Sequence, residues 1–169
     1  MEHCRRLKEI LKKRPDGQEV FHLILKYRSV RQTFGQNPLT AKAKALKYLF
    51  ENYPAHVYEY DLVAGSMRGM YVSDPEPHEL SKAHQICSSY GSLGFHSNGD
   101  HFAPGYEQFL NDGIAGTMKR IDESVTVHAD DPEKTEFLTA QKLVLEGFSK
   151  YIGNYAVSAA DMAEKTDCE

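Results

Sequence analysis

The stretch NGDHFAPGYEQFLNDGIAGTMKRI, residues 98–121, joins a polar loop directly to an amphipathic helix. Its first part is rich in Gly, Asn, Asp and Pro, which are typical of loops. Pro104 suits the first turn of a helix, and Glu107 places negative charge near the positive end of the helix dipole. We therefore predict a buried, central helix that starts just after Asp100 and His101. Residues at helical spacing form its predicted inner face: Tyr106, Phe109, Leu110, Gly113, Ile114, Thr117 and Ile121.

Two glycines lie inside this predicted helix, Gly113 and Gly116. Each glycine in a helix interior costs about 1 kcal/mol relative to alanine, so its presence calls for a structural reason. We expect a second backbone or a large aromatic ring to press close on the face that carries them.

Length and charge narrow the class of protein. The chain has 169 residues with 20 basic and 24 acidic side chains, a net charge of −4, which suits one domain spanning residues 1–169. No long block of like charge is present, so the sequence favours a small-molecule or protein partner over a nucleic acid or a membrane surface. No segment approaches the ~18 apolar residues of a membrane span, and the basic N-terminus lacks the apolar core of a signal peptide.

The three cysteines are Cys4, Cys87 and Cys168. They are odd in number and form no CxxC pair, which indicates a reducing, cytoplasmic compartment. Cys87 falls in a predicted helix over residues 79–90 and is interpreted as a small buried hydrophobe.

The first half of the chain reads as consecutive helices. The pattern predicts helices over residues 4–13 and 19–34, and a third that follows Asn37 as its cap and Pro38 as its first residue. The inner face predicted for the third helix consists of Leu39, Ala43, Leu46, Leu49, Phe50 and Tyr53. The single credible strand is VYEYDLVAG, from Val57 to Gly65, which is rich in β-favouring residues. The fold class predicted is therefore mainly α.

A long final helix follows the central one. Asp130 or Asp131 is its predicted cap, Pro132 and Glu133 occupy its first turn, and it extends to Glu164. Its apolar stripe is Phe137, Ala140, Val144, Phe148, Tyr151, Ile152, Tyr155, Ala159, Met162 and Ala163. Ordering the backbone costs about 1 to 2 kcal/mol per residue, so a helix this long is stable only when the stripe is packed. We interpret Phe148, Tyr151 and Tyr155 as packing residues and not as a ligand-binding box.

Three segments, in order, resemble the N-terminal part of the glycyl radical enzymes, the pyruvate formate-lyase-like superfamily. Residues 98–116 are similar to the family's Gly-His turn followed by a Leu-x-x-Gly-hydrophobic-x-Gly helix, with Asp100 where glycine is common and Gly105 where aspartate is common. Residues 37–65 resemble an early helix and extended segment, and residues 136–164 resemble the long helix that follows. The resemblance covers roughly Thr33 to Glu164 and implies the helical region that accompanies an α/β barrel.

The resemblance also implies a radical reaction that these residues do not complete. In the family, an activating enzyme installs a radical on a backbone glycine, the radical passes to a cysteine, and the resulting thiyl attacks the substrate. The 169 residues contain neither the active-site cysteine loop nor the Arg-Val-x-Gly-Tyr-like glycyl loop, and Cys168 comes too early to be that cysteine. We expect a truncated lyase, dehydratase or formate acetyltransferase relative that binds no cofactor itself and is inactive alone, with a small-molecule substrate only in a complete enzyme.

His101 is the candidate substrate-binding residue, because its position resembles one from which dehydratase members contact a substrate hydroxyl. A neutral imidazole at a helix start can donate and accept hydrogen bonds, and the nearby N–H groups favour an anionic or hydroxyl-bearing ligand. The alternative is that His101 merely caps the helix. We assign no catalytic residue.

Two further arrangements of residues are candidate sites. The histidines His84, His96 and His101, with Asp100, lack the i, i+4 spacing of a metal motif, so we assign no metal site, although a small metal-dependent hydrolase stays open. Arg68 in GSMRGM, residues 65–70, lacks the Gly-Lys-Ser/Thr ending of a P-loop and is interpreted as a turn.

Two functions from different classes follow. The first is a glycyl-radical-enzyme-like domain shaped to pack against a barrel, which a partner chain could bear. The second is a self-sufficient helical interaction module that buries the same surface in a homo-oligomer or against a partner. A contiguous apolar face of the final helix that is open to solvent favours the domain that lacks its barrel or an oligomer, and a face fully covered by the first three helices favours the self-sufficient module.

Overall fold

The computed structural model describes residues 4–5, 9, 18–33, 35–53, 55, 57, 81–83, 85 and 105–165. Within these described residues the main helices are α1 (Gln18–Thr33), α2 (Pro38–Asn52), α3 (Tyr106–Val127) and α4 (Pro132–Lys165). Short helical pieces at residues 4–5, 9, 81–83 and 85 fall inside the other two predicted helices. None of these described residues lies in a strand, which confirms the mainly α class.

The strand predicted from Val57 to Gly65 is described at Val57 alone, which has no regular secondary structure. Residues 58–65 lie outside the described residues. Among the helices that the structure describes, none combines the length and the apolar character needed to cross a membrane.

Local signals position the ends of the helices. Gly35, with φ of +80°, reverses the chain after α1, and the Asn37 side chain accepts a hydrogen bond from the Leu39 N–H at 2.9 Å to cap α2. Pro38 occupies the first position of α2, where its missing N–H has no intrahelical partner to lose. The predicted cap and first residue of this helix are therefore confirmed.

Helices α2 and α4 form the inner pair, with α1 packed on α2 and α3 packed on α4. Hydrogen bonds link Thr40 to Glu136, Lys47 to Glu146 and Asn154 to Glu51, in the same order along both helices. Helices α2 and α4 therefore run parallel. The turn 128–131 folds α3 back antiparallel to α4.

The core lies between α1, α2 and α4. Leu25, Leu49 and Tyr53 are buried together, and Tyr48 and Tyr151 pack against them. Burying one such side chain stabilises the fold by about 1.5 to 3 kcal/mol. Ala45 is also buried although the sequence pattern did not mark it, because α2 has a neighbour on more than one side.

The prediction of a buried, central α3 is wrong. Tyr106 is 65% exposed and Leu110 is 78% exposed, whereas Ile121 is buried. The reason is a bend at Gly113, where φ is 62° and ψ is −171°. The bend interrupts the 3.6-residue period, so the predicted stripe is not one continuous buried face, although Phe109 before the bend still contacts Phe148 of α4.

Candidate functional site

His101 and Asp100 lie outside the described residues, so substrate binding by His101 stays a prediction. The helix that follows begins at Tyr106, with Gly105 as its cap, a residue that has no side chain to accept a hydrogen bond from the first N–H groups. Glu107 lies in the first turn, as predicted, and complements the helix dipole. Pro104, predicted in that turn, also lies outside the described residues.

A groove of about 520 Å³ follows the contact between α3 and α4. Ile121, Leu138, Val144 and Leu145 give it apolar walls, and its remaining lining residues are polar: Gln108, Thr117, Arg120, Ser124 and Gln141. Its volume falls within the range of small-molecule sites, which is about 300 to 1,000 Å³. The groove can accommodate an apolar group and hydrogen-bond its edges.

The charge in this lining comes from Arg120, whose guanidinium forms an ion pair with Asp112. Asp112 lies before the bend at Gly113, whereas Arg120 lines the groove. The ion pair therefore connects the segment before the bend to the groove. No carboxylate, imidazole or thiol is among the lining residues that the structure describes for this groove, so the lining supplies no general acid or base there.

A second hollow, of about 380 Å³, continues the groove toward the α3–α4 turn and shares Ser124 and Leu138 with it. His128 lines this hollow, but its backbone organises the turn. Its N–H donates to the Ser124 carbonyl at 3.0 Å, and its carbonyl accepts from the Asp131 N–H and the Thr135 hydroxyl, both at 3.0 Å. These contacts give His128 a structural role in closing the hairpin.

Asp131 caps α4. Its carboxylate accepts a hydrogen bond from the Lys134 N–H at 3.1 Å and lies 3.0 Å from the Lys134 ammonium. The backbone hydrogen bond and the neighbouring ammonium hold the pKa of Asp131 below its ordinary value. Of the two residues predicted as this cap, Asp131 is the one used. Pro132 and Glu133 occupy the first turn as expected.

The aromatic residues of α4 pack between helices. The Phe148 ring lies 5.5 Å from Phe50, the Tyr151 ring lies 5.8 Å from Tyr53, and Tyr155 meets Tyr151 edge to face at 5.0 Å. Such pairs contribute about 0.5 to 1.5 kcal/mol each beyond their buried area. The interpretation of Phe148, Tyr151 and Tyr155 as packing residues is confirmed.

A close contact between helices lies at Gly147 and was not predicted from the sequence. A Cβ on Gly147 would lie 2.7 Å from the Lys47 Cα, so α2 crosses α4 backbone to backbone at this point. Beside the crossing, the Lys47 ammonium lies 2.5 Å from the Glu146 carboxylate. That hydrogen bond raises the pKa of Lys47 above its ordinary value of 10.5, against the opposing effect of partial burial.

The other candidate sites fall mostly outside the described residues. His84, His96, Cys87, Cys168 and residues 65–70 are among them, so the assignments made for these residues stay predictions. Within the described part of the chain, no three His, Cys, Asp or Glu side chains are grouped so that they could hold a metal ion. Cys4 is an exposed free thiol.

A sequence model of the family described as PFL-like, pyruvate formate lyase-like, matches residues 70–169. The match includes the stretch 98–121, both helices of the α3–α4 hairpin and the groove between them. The upstream resemblance at residues 37–65 lies outside the matched residues. No curated protein and no solved structure matches the chain.

Proposed function

The chain belongs to the pyruvate formate lyase-like family, and from this we propose that it is the N-terminal helical part of a glycyl radical enzyme that does not catalyse the family's reaction by itself. The coarse family assignment comes from the match over residues 70–169. That these 169 residues do not catalyse the reaction by themselves is our proposal, and it is supported by the absence of both radical motifs from them.

The observation that carries the proposal is the exposure of apolar side chains on both helices of the α3–α4 hairpin. Large apolar side chains on both helices are substantially exposed: Tyr106 65%, Leu110 78%, Val127 73%, Phe137 50%, Ile152 46% and Val157 62%. The apolar side chains of α4 are thus incompletely covered within the described part of the chain, which supports a domain that lacks its barrel and equally an oligomer that buries them. Exposed apolar side chains mark an interaction site where they form a contiguous patch.

In this proposal the hairpin packs against an α/β barrel that lies outside the 169 residues or on a partner chain. The barrel supplies the thiyl cysteine, the glycyl radical and most of the small-molecule site. The radical is installed by a separate activating enzyme, and the setting is anaerobic metabolism in the cytoplasm. His101 would contribute at the edge of the completed site.

The alternative is a self-sufficient helical interaction module. The buried cluster of Leu25, Leu49 and Tyr53 supports it, because this core is formed between helices of the chain itself. In that case the hairpin surface is buried in a homo-oligomer of fixed size.

Activity tests the first function directly. The purified chain, incubated without oxygen with a radical activating enzyme of the family, is expected to show no glycyl radical signal by electron paramagnetic resonance. It is also expected not to turn over pyruvate or a vicinal diol. A radical signal or turnover would show that the chain is complete in function.

Light scattering behind a sizing column, over a tenfold range of concentration, separates the two functions. Concentration-dependent association would support an apolar face that lacks its barrel. A discrete monomer or closed dimer with a cooperative melting transition would support the self-sufficient module.

A further inference from the structure

The bend in α3 is built from four residues within LNDGIAGTMKR, residues 110–120. Gly113 has φ of 62° and ψ of −171°, a combination that is essentially restricted to glycine. A Cβ built on Gly113 would meet nothing within 4 Å, so space does not explain this glycine. The backbone conformation explains it.

Gly116 serves the same bend for a different reason. A Cβ on Gly116 would lie 2.9 Å from the Asp112 Cβ, closer than real Cβ atoms approach one another. Asp112 can fold back over the following turn because Gly116 has no side chain. Gly113 therefore provides the backbone dihedral angles of the bend, and Gly116 leaves room for the Asp112 side chain.

The ion pair between Asp112 and Arg120 holds the bend closed. In a continuous helix these residues would be about 12 Å apart along the axis, a separation that the two side chains could span only when fully extended toward each other. The pair therefore favours the bent form. The Thr117 hydroxyl also donates to the Gly113 carbonyl at 2.7 Å, on the side of the bend toward Arg120.

The segment before the bend is mostly exposed, although the half-buried Phe109 ring lies 6.4 Å from the Phe148 ring of α4 and must move with the segment. Tyr106 and Leu110 are both mainly exposed, and the residues from Tyr106 to Asp112 form a lever about 10 Å long. Straightening at Gly113 would give one continuous helix and displace Gly105, where the chain enters α3, by several ångströms.

We propose that Asp112, Gly113, Gly116 and Arg120 form a latched elbow, by which α3 exchanges between the bent form and a continuous helix. The elbow sets the direction from which the chain enters the helix. The ion pair favours the bent form, so screening by salt shifts the exchange toward the continuous helix. This inference does not depend on the family's reaction.

The test measures the distance between spin labels at Glu107→Cys and Glu123→Cys by pulsed electron resonance, in a full chain whose native cysteines are replaced by serine. These positions would be about 24 Å apart along a continuous helix, and they are closer in the bent form. Gly113→Ala is expected to shift the distribution to the longer distance. Gly153→Ala is the matched control, since a Cβ on Gly153 also meets nothing within 4 Å but needs no left-handed φ, and it should leave the distribution unchanged.

Arg120→Gln tests the latch without touching a glycine and is expected to raise the long-distance population, as is high salt in the parent chain. A parent chain already at the continuous-helix distance would overturn the elbow. So would a Gly113→Ala variant that keeps the short distance while folded. If Gly113→Ala does not fold, an Arg120→Gln distribution identical to the parent at low and high salt would overturn the proposal.

Discussion

Among single residues, Gly147 most directly determines how the helices meet. Its missing side chain lets the α2 backbone pass at Lys47, where any Cβ would lie 2.7 Å from the Lys47 Cα and 3.1 Å from its carbonyl oxygen. Backbone atoms cannot swing aside as a flexible side chain does. Any larger residue at position 147 must therefore push the two helices apart.

Gly147→Ala is expected to lower the free energy of unfolding by about 1 to 3 kcal/mol, the usual cost of overpacking a core. Gly153→Ala is the control, since Gly153 lies exposed in the same helix, and it should stabilise the chain by up to about 1 kcal/mol. Urea unfolding followed by circular dichroism measures both. Equal effects of the two substitutions would contradict a close crossing at Gly147.

The sequence pattern predicted close packing at Gly113 and Gly116, but the close packing lies at Gly147. Gly113 and Gly116 stood out because they interrupt an amphipathic pattern, but they serve a bend and not the approach of another chain segment. Gly147 meets Lys47 across a separation of about one hundred residues, and no local pattern encodes which distant backbone will arrive at a given glycine.

At the scale of elements, the starts of α2 and α4 are defined by side chains close in sequence. Asn37 and Asp131 each accept a hydrogen bond from an N–H in the first turn, and a proline follows each of them. Both starts were predictable because capping is a local interaction. The bend in α3 was not predictable, because a glycine at position 113 is compatible with a continuous helix as well as with a positive φ.

The cap of α4 predicts a pH dependence. The folded-state pKa of Asp131 lies below its ordinary value of 3.8, so the ionised carboxylate stabilises the folded chain above pH 3.8. That contribution is lost as the pH falls through the lower folded-state value. Asp131→Asn keeps an acceptor oxygen but no charge, so its melting temperature should lie below the parent's near neutral pH and converge with it in acid.

Thermal melts between neutral pH and about pH 2 measure this convergence. A difference between the two chains that stays constant throughout would mean that the charge on Asp131 does not contribute. Titration of the Asp131 carboxyl by nuclear magnetic resonance should give a midpoint below 3.8.

At the scale of the whole molecule, the helices bury one side of α4 better than the other. Tyr155 and Ala140 are buried, whereas Ile152 is 46% exposed and Val157 is 62% exposed. The sequence predicted that the stripe of α4 needs a partner. Which residues stay uncovered depends on the paths of α2 and α3 over α4, and these follow from the parallel packing and the bend.

Replacing two exposed apolar residues tests their role. Leu110→Gln with Val157→Gln should change the free energy of unfolding by about 0.5 kcal/mol or less, because neither side chain is packed. The same double variant should weaken self-association, measured by sedimentation velocity. Lys119→Gln is an exposed control that should change neither property, and undiminished association of the double variant would exclude these residues from the contact.

The parallel arrangement of α2 and α4 has a consequence for how quickly the chain folds. The α3–α4 hairpin joins neighbours in sequence, but the bonds from Lys47 to Glu146 and from Asn37 to Glu136 each close a loop of 99 residues. Closing a long loop costs entropy before its contacts form, and folding slows as contacts become less local. We therefore expect the hairpin to assemble early and the seating of α4 on α2 to limit the rate, so that the core closes last.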